Sequence, residues 1–179
     1  MHFAYKQKYG LLTILHAVTG GRMKGNGAIE LIAVSKHYGS TIAVKSIDLK
    51  IPAGAYCCLI GPSGCGKTTT LRMIAGHEVI SEGDLLIGDR NVTELPPVKR
   101  GTAMMFQNYA LFPHMTCMEN VAFGLRMQGI SPAERNERAK EMLARVHMEK
   151  FADRKPDQLS GGQQQRIALA RALITQPSV

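Results

Sequence analysis

Residues 55–68 read AYCCLIGPSGCGKT, and this stretch decides the fold class. Its first part, AYCCLI, is a continuous apolar run that follows Pro52 and Gly54, which makes it a candidate β-strand. Its second part, residues 61–68, fits the pattern G-x-x-x-x-G-K-[ST] at every fixed position. The next residues, KTTTLRMIAG, predict a helix that ends at Gly76. A strand, a glycine-rich loop and a helix in this order predict an α/β protein that binds phosphate groups.

The phosphate loop, which we define as residues 61–68, has the residues that a di- or triphosphate requires. Backbone N–H groups can surround a phosphate only where side chains do not block the approach, and the three glycines of the loop leave that space. The helix that follows presents its partially positive N-terminus to the phosphates. Lys67 can reach the terminal phosphates, and the Thr68 hydroxyl is placed to ligate Mg²⁺. The alternative is a glycine-rich turn with an incidental lysine, and the flanking strand and helix argue against it.

Further strands and helices are predicted on both sides of the phosphate loop. Residues 29–34 and 41–51 have the partial alternation of half-buried strands, and residues 81–94 predict a hairpin with an IGDR turn. From residue 116 the pattern is helical, and two helix starts carry capping signals. These signals are Thr116 with Glu119, and Ser131 with Pro132 and Glu134; the second helix has Ala139, Met142, Leu143 and Val146 on one face.

The composition is that of a soluble globular domain. The chain has 179 residues, 45% of them hydrophobic and 20% charged, and its longest apolar runs are too short to span a bilayer. The formal net charge is +8, and the first 29 residues contribute Lys6, Lys8, Arg22 and Lys24 without any acidic residue. The four cysteines form no CxxC pair, which indicates neither a zinc site nor a disulfide framework and fits a reducing compartment.

A second motif, LSGGQQQR at residues 159–166, narrows the class of phosphate-binding protein. Ser160 and Gln163 have the spacing of a capping box, so a well-capped helix is the plain structural interpretation. The two glycines between them each cost about 1 kcal/mol of helix stability relative to Ala. A helix start that tolerates this cost is suited to the close approach of an anion.

Because LSGGQ is its signature, the ATP-binding cassette (ABC) family is the one that this sequence resembles. The resemblance implies a P-loop NTPase core with an antiparallel β subdomain and an α-helical subdomain, and it implies ATP and Mg²⁺ as cofactors. In the family an aromatic residue at the position of Tyr38 stacks on adenine, and a glutamine at the position of Gln107 helps to hold Mg²⁺. Two domains pair head to tail, so that the signature of one binds the γ-phosphate held by the other.

The resemblance assigns roles to particular residues of this chain. The implied nucleotide-binding residues are Tyr38, Gly61, Pro62, Ser63, Gly64, Cys65, Gly66, Lys67, Thr68 and Thr69. The implied catalytic residues are Lys67 and Gln107, the implied metal ligands are Thr68 and Gln107, and the residues implied to bind in trans are Ser160, Gly161, Gly162 and Gln163. The implied nucleotide-binding domain covers residues 29–179, with the helical subdomain at about 108–158 and the signature helix at 160–175. Residues 1–28 form an extension expected to be poorly ordered, and Met1 and Met23 both fit as its start.

The stretch VKRGTAMMFQNYALFPHMT and the later ENVAFGLRMQG most resemble bacterial importer ATPases that serve polyamine, iron, sulfate or sugar uptake. The polyamine type is the first expectation. The resemblance then implies an ATPase that couples ATP binding and hydrolysis to solute uptake. Its partners would be a second nucleotide-binding subunit, transmembrane permease subunits and, indirectly, a solute-binding protein. It would lie in the cytoplasm, peripheral on the inner membrane.

The residues after the signature helix differ from the family pattern. In the family an apolar strand follows, ending in Asp and then Glu, and a histidine comes later. Here the last acidic residue is Asp157 and the last histidine is His147, while Asp89 lies in the predicted turn. We therefore expect a C-terminally truncated domain with weak or no hydrolysis.

Three interpretations stay open: an importer subunit, a truncated nucleotide-binding module without turnover, and a soluble ABC protein of DNA repair or translation. The third interpretation is disfavoured because the sequence has neither a basic stripe nor coiled-coil heptads, and no nucleic acid partner is expected.

Overall fold

The structure is a computed structural model, which describes residues 13–19 and 27–179. The chain divides into two compact units, one of residues 1–102 with 178–179 and the other of residues 103–177. In chain order the first unit contains β1 (Thr13–Thr19), β2 (Ile29–Tyr38), β3 (Thr41–Ile51), β4 (Ala55–Ile60), α1 (Lys67–Ala75), β5 (Glu82–Ile87) and β6 (Arg90–Asn91). Strand β1 falls within the predicted extension, and most of that extension lies outside the described residues. Its loose order stays a prediction.

The first unit has an antiparallel sheet with the strand order β3-β2-β5-β6. Short turns produce this arrangement, because β2 and β3 are joined at Gly39, whose φ is 57°, and β5 and β6 at Gly88, whose φ is 61°. Strand β2 continues to Tyr38, four residues beyond the end of the predicted IELIAV strand. Strand β4 pairs antiparallel with β1, and its Tyr56 and Ile60 are exposed.

The core of the first unit lies between this sheet and α1. The strands contribute aliphatic side chains, which are three residues apart where β-bulges interrupt the alternation, and α1 contributes Met73 and Ile74. Each such side chain contributes about 1.5–3 kcal/mol when fully buried. The buried members are Ile29, Leu31, Val34, Val44, Ile47, Leu49, Met73, Ile74, Ile80, Leu85, Ile87 and Val92.

The second unit is helical and contains α2 (Cys117–Met127), α3 (Pro132–Arg145) and α4 (Gly161–Leu173), with short 3-10 helices at Glu149–Phe151 and Pro156–Gln158. Predicted N-caps begin all three α-helices: the side chains of Thr116, Ser131 and Ser160 each accept a hydrogen bond from the backbone N–H three residues later. Ala139 and Leu143 of α3 are buried, as its predicted apolar face requires. Within the described ranges, no helix has the length and apolar character needed to cross a bilayer.

Candidate functional site

The start of α1 is an open set of backbone N–H groups. Its N-cap is Gly66, which has no side chain to accept from these groups, and its first turn contains no acidic residue. The starts of α2, α3 and α4 are instead capped by side chains. Orphan N–H groups and the helix dipole together favour an anion at such a start. The geometry of α1 therefore suits a phosphate.

Two glycines of the phosphate loop are required for different reasons. Gly64 has a φ of +81° with open space around it, so its backbone conformation is what favours glycine. Gly66 has a φ of +91°, and a Cβ there would lie 2.8 Å from the carbonyl oxygen of Ala43. The loop therefore packs directly against the backbone of β3. A side chain at Gly66 would push the loop away from that strand.

Lys67 closes the phosphate loop onto itself. Its Nζ donates to the carbonyl oxygens of Gly61 and Pro62, each at 2.7 Å, and lies 3.4 Å from the Sγ of Cys65. An ammonium group has three N–H donors, so a phosphate oxygen would take the place of one of these partners. The neighbouring Thr68 is exposed at the first turn of α1. Its hydroxyl oxygen is a hard donor atom of the kind that Mg²⁺ prefers.

Tyr38 lies at the end of β2 and contacts the first turn of α1. Burial and the nearby Glu78 carboxylate raise the pKa of the Tyr38 hydroxyl, while the nearby Thr69 hydroxyl lowers it. Nevertheless, 47% of the residue remains exposed, so the ring keeps a surface that could stack on a base. The structure thus brings Tyr38 together with Thr69, two of the predicted nucleotide-binding residues.

The signature segment, residues 159–163, forms the start of α4 in the second unit. Ser160 Oγ accepts from Gln163 N at 3.4 Å, and Gln163 Oε1 accepts from Ser160 N at 2.9 Å. Gly161 and Gly162 are exposed, and a Cβ built at either would meet no atom within 4 Å. Nothing in the described part of the chain therefore demands glycine at these positions. The Ser160 hydroxyl keeps its proton free to donate outward.

Gln107 also belongs to the second unit, in an exposed turn before α2. The residues that follow it are held by α4, because Arg171 donates to the carbonyl oxygens of Tyr109 at 2.9 Å and Ala110 at 2.7 Å. Tyr109 and Ala110 both have positive φ angles, of 60° and 46°, so the turn is locally strained. Arg171 was not predicted from the sequence as a functional residue, although it lies in the predicted signature helix.

Three further residues of the first unit were missed by the sequence analysis. Arg100 is buried and donates to the carbonyl oxygens of residues near the end of α1. Lys36 and Glu78 form an ion pair of 2.7 Å beside Tyr38. A prediction that extended β2 to Tyr38 would have placed Lys36 on the same face as Tyr38, because residues two apart on a strand share a face. The positions of Glu78 and Arg100 could be found only from the folded structure.

Comparisons with known proteins agree with this geometry. The sequence profile of the ABC transporter family matches residues 44–179. The spermidine/putrescine import ATP-binding protein PotA of Bacillus cereus is 49% identical over 151 residues, which are 84% of this chain and 46% of that protein. PotA of Aggregatibacter actinomycetemcomitans is 52% identical over 151 residues, which are 84% of this chain and 41% of that protein. The chain thus spans less than half the length of these curated relatives.

Solved structures show the same fold. The dimeric post-hydrolysis state of the ATP-binding cassette MJ0796 bound to ADP and Pi matches with a TM-score of 0.72 and 35% identity. A dimeric structure of MJ0796 described as a bacterial ABC transporter cassette matches with a TM-score of 0.72 and 36% identity. Each match covers 83% of this chain and 70% of the solved chain.

Proposed function

This chain belongs to the ABC transporter family, and from that premise we propose that it is an ATP-binding part of a bacterial importer. The observation that carries the proposal is the start of α1, where a glycine N-cap leaves the first-turn N–H groups without a side-chain acceptor. Lys67 lies across the loop that precedes them, within reach of a phosphate bound there. The dipole of α1, the free backbone N–H groups of its first turn and the ammonium group of Lys67 all favour a polyphosphate as ligand.

Different residues of the chain bind different parts of the nucleotide. The phosphate loop binds the phosphates, Lys67 contacts the terminal ones, and the exposed Tyr38 ring stacks on the base. Thr68 is exposed and offers a hydroxyl oxygen, which fits the preference of Mg²⁺ for oxygen ligands. When bound, Mg²⁺ neutralises charge on the phosphates. Gln107 belongs to the second unit and is also exposed, and its role as a metal ligand stays a prediction of the family resemblance.

The signature segment binds the nucleotide of a second subunit. Exposed Gly161 and Gly162 let a phosphate approach the start of α4, and the Ser160 hydroxyl can donate to it. Gln163 supports this start through the capping box. The similarity to a cassette solved as a dimer supports a head-to-tail pair. ATP would then favour the dimer because two helix starts converge on one triphosphate.

The proposed role in the cell follows from the curated relatives. Relatives named spermidine/putrescine import ATP-binding proteins, at 48–52% identity, support an importer subunit with polyamine cargo. Such a subunit would hydrolyse ATP and act with permease subunits and a solute-binding protein. It would work at the cytoplasmic face of the inner membrane.

The first experiment measures ATP binding to the purified chain by calorimetry with Mg²⁺ present. Lys67→Ala should weaken binding about 10- to 100-fold, because a charge-assisted hydrogen bond contributes about 1.5–3 kcal/mol and each 1.4 kcal/mol is tenfold. Lys140→Ala, which removes an exposed lysine of α3, is the matched control and should leave the affinity unchanged. Equal affinities of the Lys67 variant and the wild type would overturn the proposal.

A further inference from the structure

The segment that leaves α1 is bonded to the end of β2. Ser81 N donates to Ser35 O at 2.9 Å, and His37 N donates to Ser81 Oγ at 3.0 Å. Between these two bonds, Lys36 Nζ donates to Val79 O at 2.8 Å. The segment that follows the phosphate-loop helix, at residues 79–81, is therefore joined to the strand that ends in Tyr38 by three hydrogen bonds.

An ion pair lies at the centre of this junction. Lys36 Nζ is 2.7 Å from Glu78 Oε1, and the side chains are only 9% and 22% exposed. The same ammonium lies 4.8 Å from the centre of the Tyr38 ring, which places it within cation-π distance of that ring. A buried lysine whose charge is balanced by one carboxylate and one carbonyl is held in place, since losing either partner would leave the charge unpaired.

Glu78 also lies near the hydroxyl end of Tyr38, since burial and the Glu78 carboxylate raise the pKa of that hydroxyl while the Thr69 hydroxyl lowers it. The ring is held by Lys36 over its face, and Glu78 keeps Lys36 in that place through the ion pair. A tyrosine that is 47% exposed would otherwise sample several rotamers. Fixing the ring before binding reduces the entropy that a stacked base must overcome.

We propose that Lys36 and Glu78 are positioning residues that fix the Tyr38 ring beside the first turn of α1, so that affinity for the base of the nucleotide depends on this pair. The inference rests on the proposed function, because it needs Tyr38 to contact a base. It goes beyond that function by adding two residues that touch neither base nor phosphate. The pair links the surface for the base to the helix that binds the phosphates.

The test compares ATP with tripolyphosphate, which has the phosphates but no base, by calorimetry on the purified chain. Glu78→Ala should weaken ATP binding about 3- to 10-fold, the range expected for ordering one side chain, and leave tripolyphosphate binding unchanged. Tyr38→Phe keeps the ring and removes the hydroxyl, so it should produce a similar loss. The double variant should lose no more than the larger single loss, because both changes break the same contact.

Controls separate this inference from a purely structural role and from the proposed function. Tyr38→Phe leaves the buried ion pair intact, so it tests the contact even if Glu78→Ala unfolds, which circular dichroism would detect. An unchanged ratio of ATP to tripolyphosphate affinity in the folded variants would overturn the inference. If Lys67→Ala still weakens both ligands in that case, the proposed function stands and only the positioning role fails.

Discussion

Replacing Arg100 by methionine should destabilise the first unit strongly. The Arg100 side chain is buried, and its guanidinium donates to the carbonyl oxygens of Leu95 at 2.6 Å, Met73 at 2.6 Å and Thr93 at 2.9 Å. A weaker bond of 3.3 Å reaches Ile74 O. Because Met73 and Ile74 lie in the last turn of α1, the cation also interacts favourably with the negative end of the helix dipole. Methionine would fill most of the space and leave these carbonyls without their donors.

The magnitude follows from these contacts. Each of the three short bonds involves a charged donor and is worth at least about 1.5 kcal/mol net. Among the described residues no carboxylate pairs with Arg100, so the burial of its guanidinium opposes this gain, and the same burial lowers the pKa of Arg100. We therefore expect Arg100→Met to reduce the free energy of unfolding by about 2–4 kcal/mol, a large part of the stability of an ordinary domain.

Urea unfolding followed by circular dichroism is the suitable assay, because the chain has no tryptophan to report by fluorescence. Arg90→Met is the matched control, since Arg90 is exposed and has one bond of 3.4 Å to Lys99 O. It should change the stability by less than about 0.5 kcal/mol. If Arg100→Met costs no more than this control, the buried cation contributes nothing net and the reasoning is wrong.

A double-mutant cycle with Gly76 adds a check on the same contact. A Cβ at Gly76 would lie 2.6 Å from Arg100 Nε, and the φ of this glycine is +81°. Gly76→Ala should therefore cost more in the wild type than in an Arg100→Ala background, where the side chain that meets this Cβ is absent and only the backbone strain remains. Equal costs in both backgrounds would show that the steric contact is unimportant.

Two further predictions concern the second unit. Asn120 is fully buried, accepts from Phe112 N at 2.9 Å and donates to three carbonyl oxygens, those of Phe112, Met115 and Thr116. Asn120→Ala should cost about 1–3 kcal/mol and Asn120→Asp more, because a carboxylate cannot donate to those carbonyls; a urea melt in which Asp is tolerated as well as Asn would contradict this. Hydrogen bonds from Thr116 hold the pKa of Glu119 below its ordinary value of 4.5, so its stabilising effect is complete above pH 4.5 and is lost as the pH falls through the folded-state pKa. Glu119→Gln keeps the hydrogen-bond acceptor but does not titrate, so it should lose less thermal stability on acidification than the wild type. Glu134→Gln, at the same position of α3, is the control. Identical acid sensitivity of Glu119→Gln and the wild type would refute the assignment.

Many local features of the fold were predictable because they depend on residues only a few positions apart. The capping boxes at Thr116 and Ser160, the end of α1 at Gly76 and the hairpin at residues 81–94 were all predicted and are present in the structure. Each follows from a hydrogen bond or a backbone conformation that short-range chemistry determines. The phosphate loop was recognisable for the same reason. The predicted nucleotide contacts within it stay predictions.

The contacts made across the fold were not predictable in this way. Lys36 is far from Glu78 in the sequence, and Arg100 is far from the end of α1. From the sequence alone, Lys36 and Arg100 could each have been an ordinary surface residue. The continuation of β2 to Tyr38 was also missed, because the polar residues of SKHY do not continue the apolar pattern. Pairing with β3 extends the strand there, and bonds to residues 79 and 81 hold the segment after α1 beside it.

The sequence by itself determined the family and the chemistry that the loop at residues 61–68 can perform, since the residue types in that loop leave few alternatives. Only the tertiary structure decided which groups balance the buried charges of Lys36 and Arg100, and which charge lies over the Tyr38 ring. The physical reason is that a buried cation is stable only where the fold supplies its acceptors. For Arg100 those acceptors are backbone carbonyls, and for Lys36 they are the Val79 carbonyl and the Glu78 carboxylate, so only packing brings them to the cation.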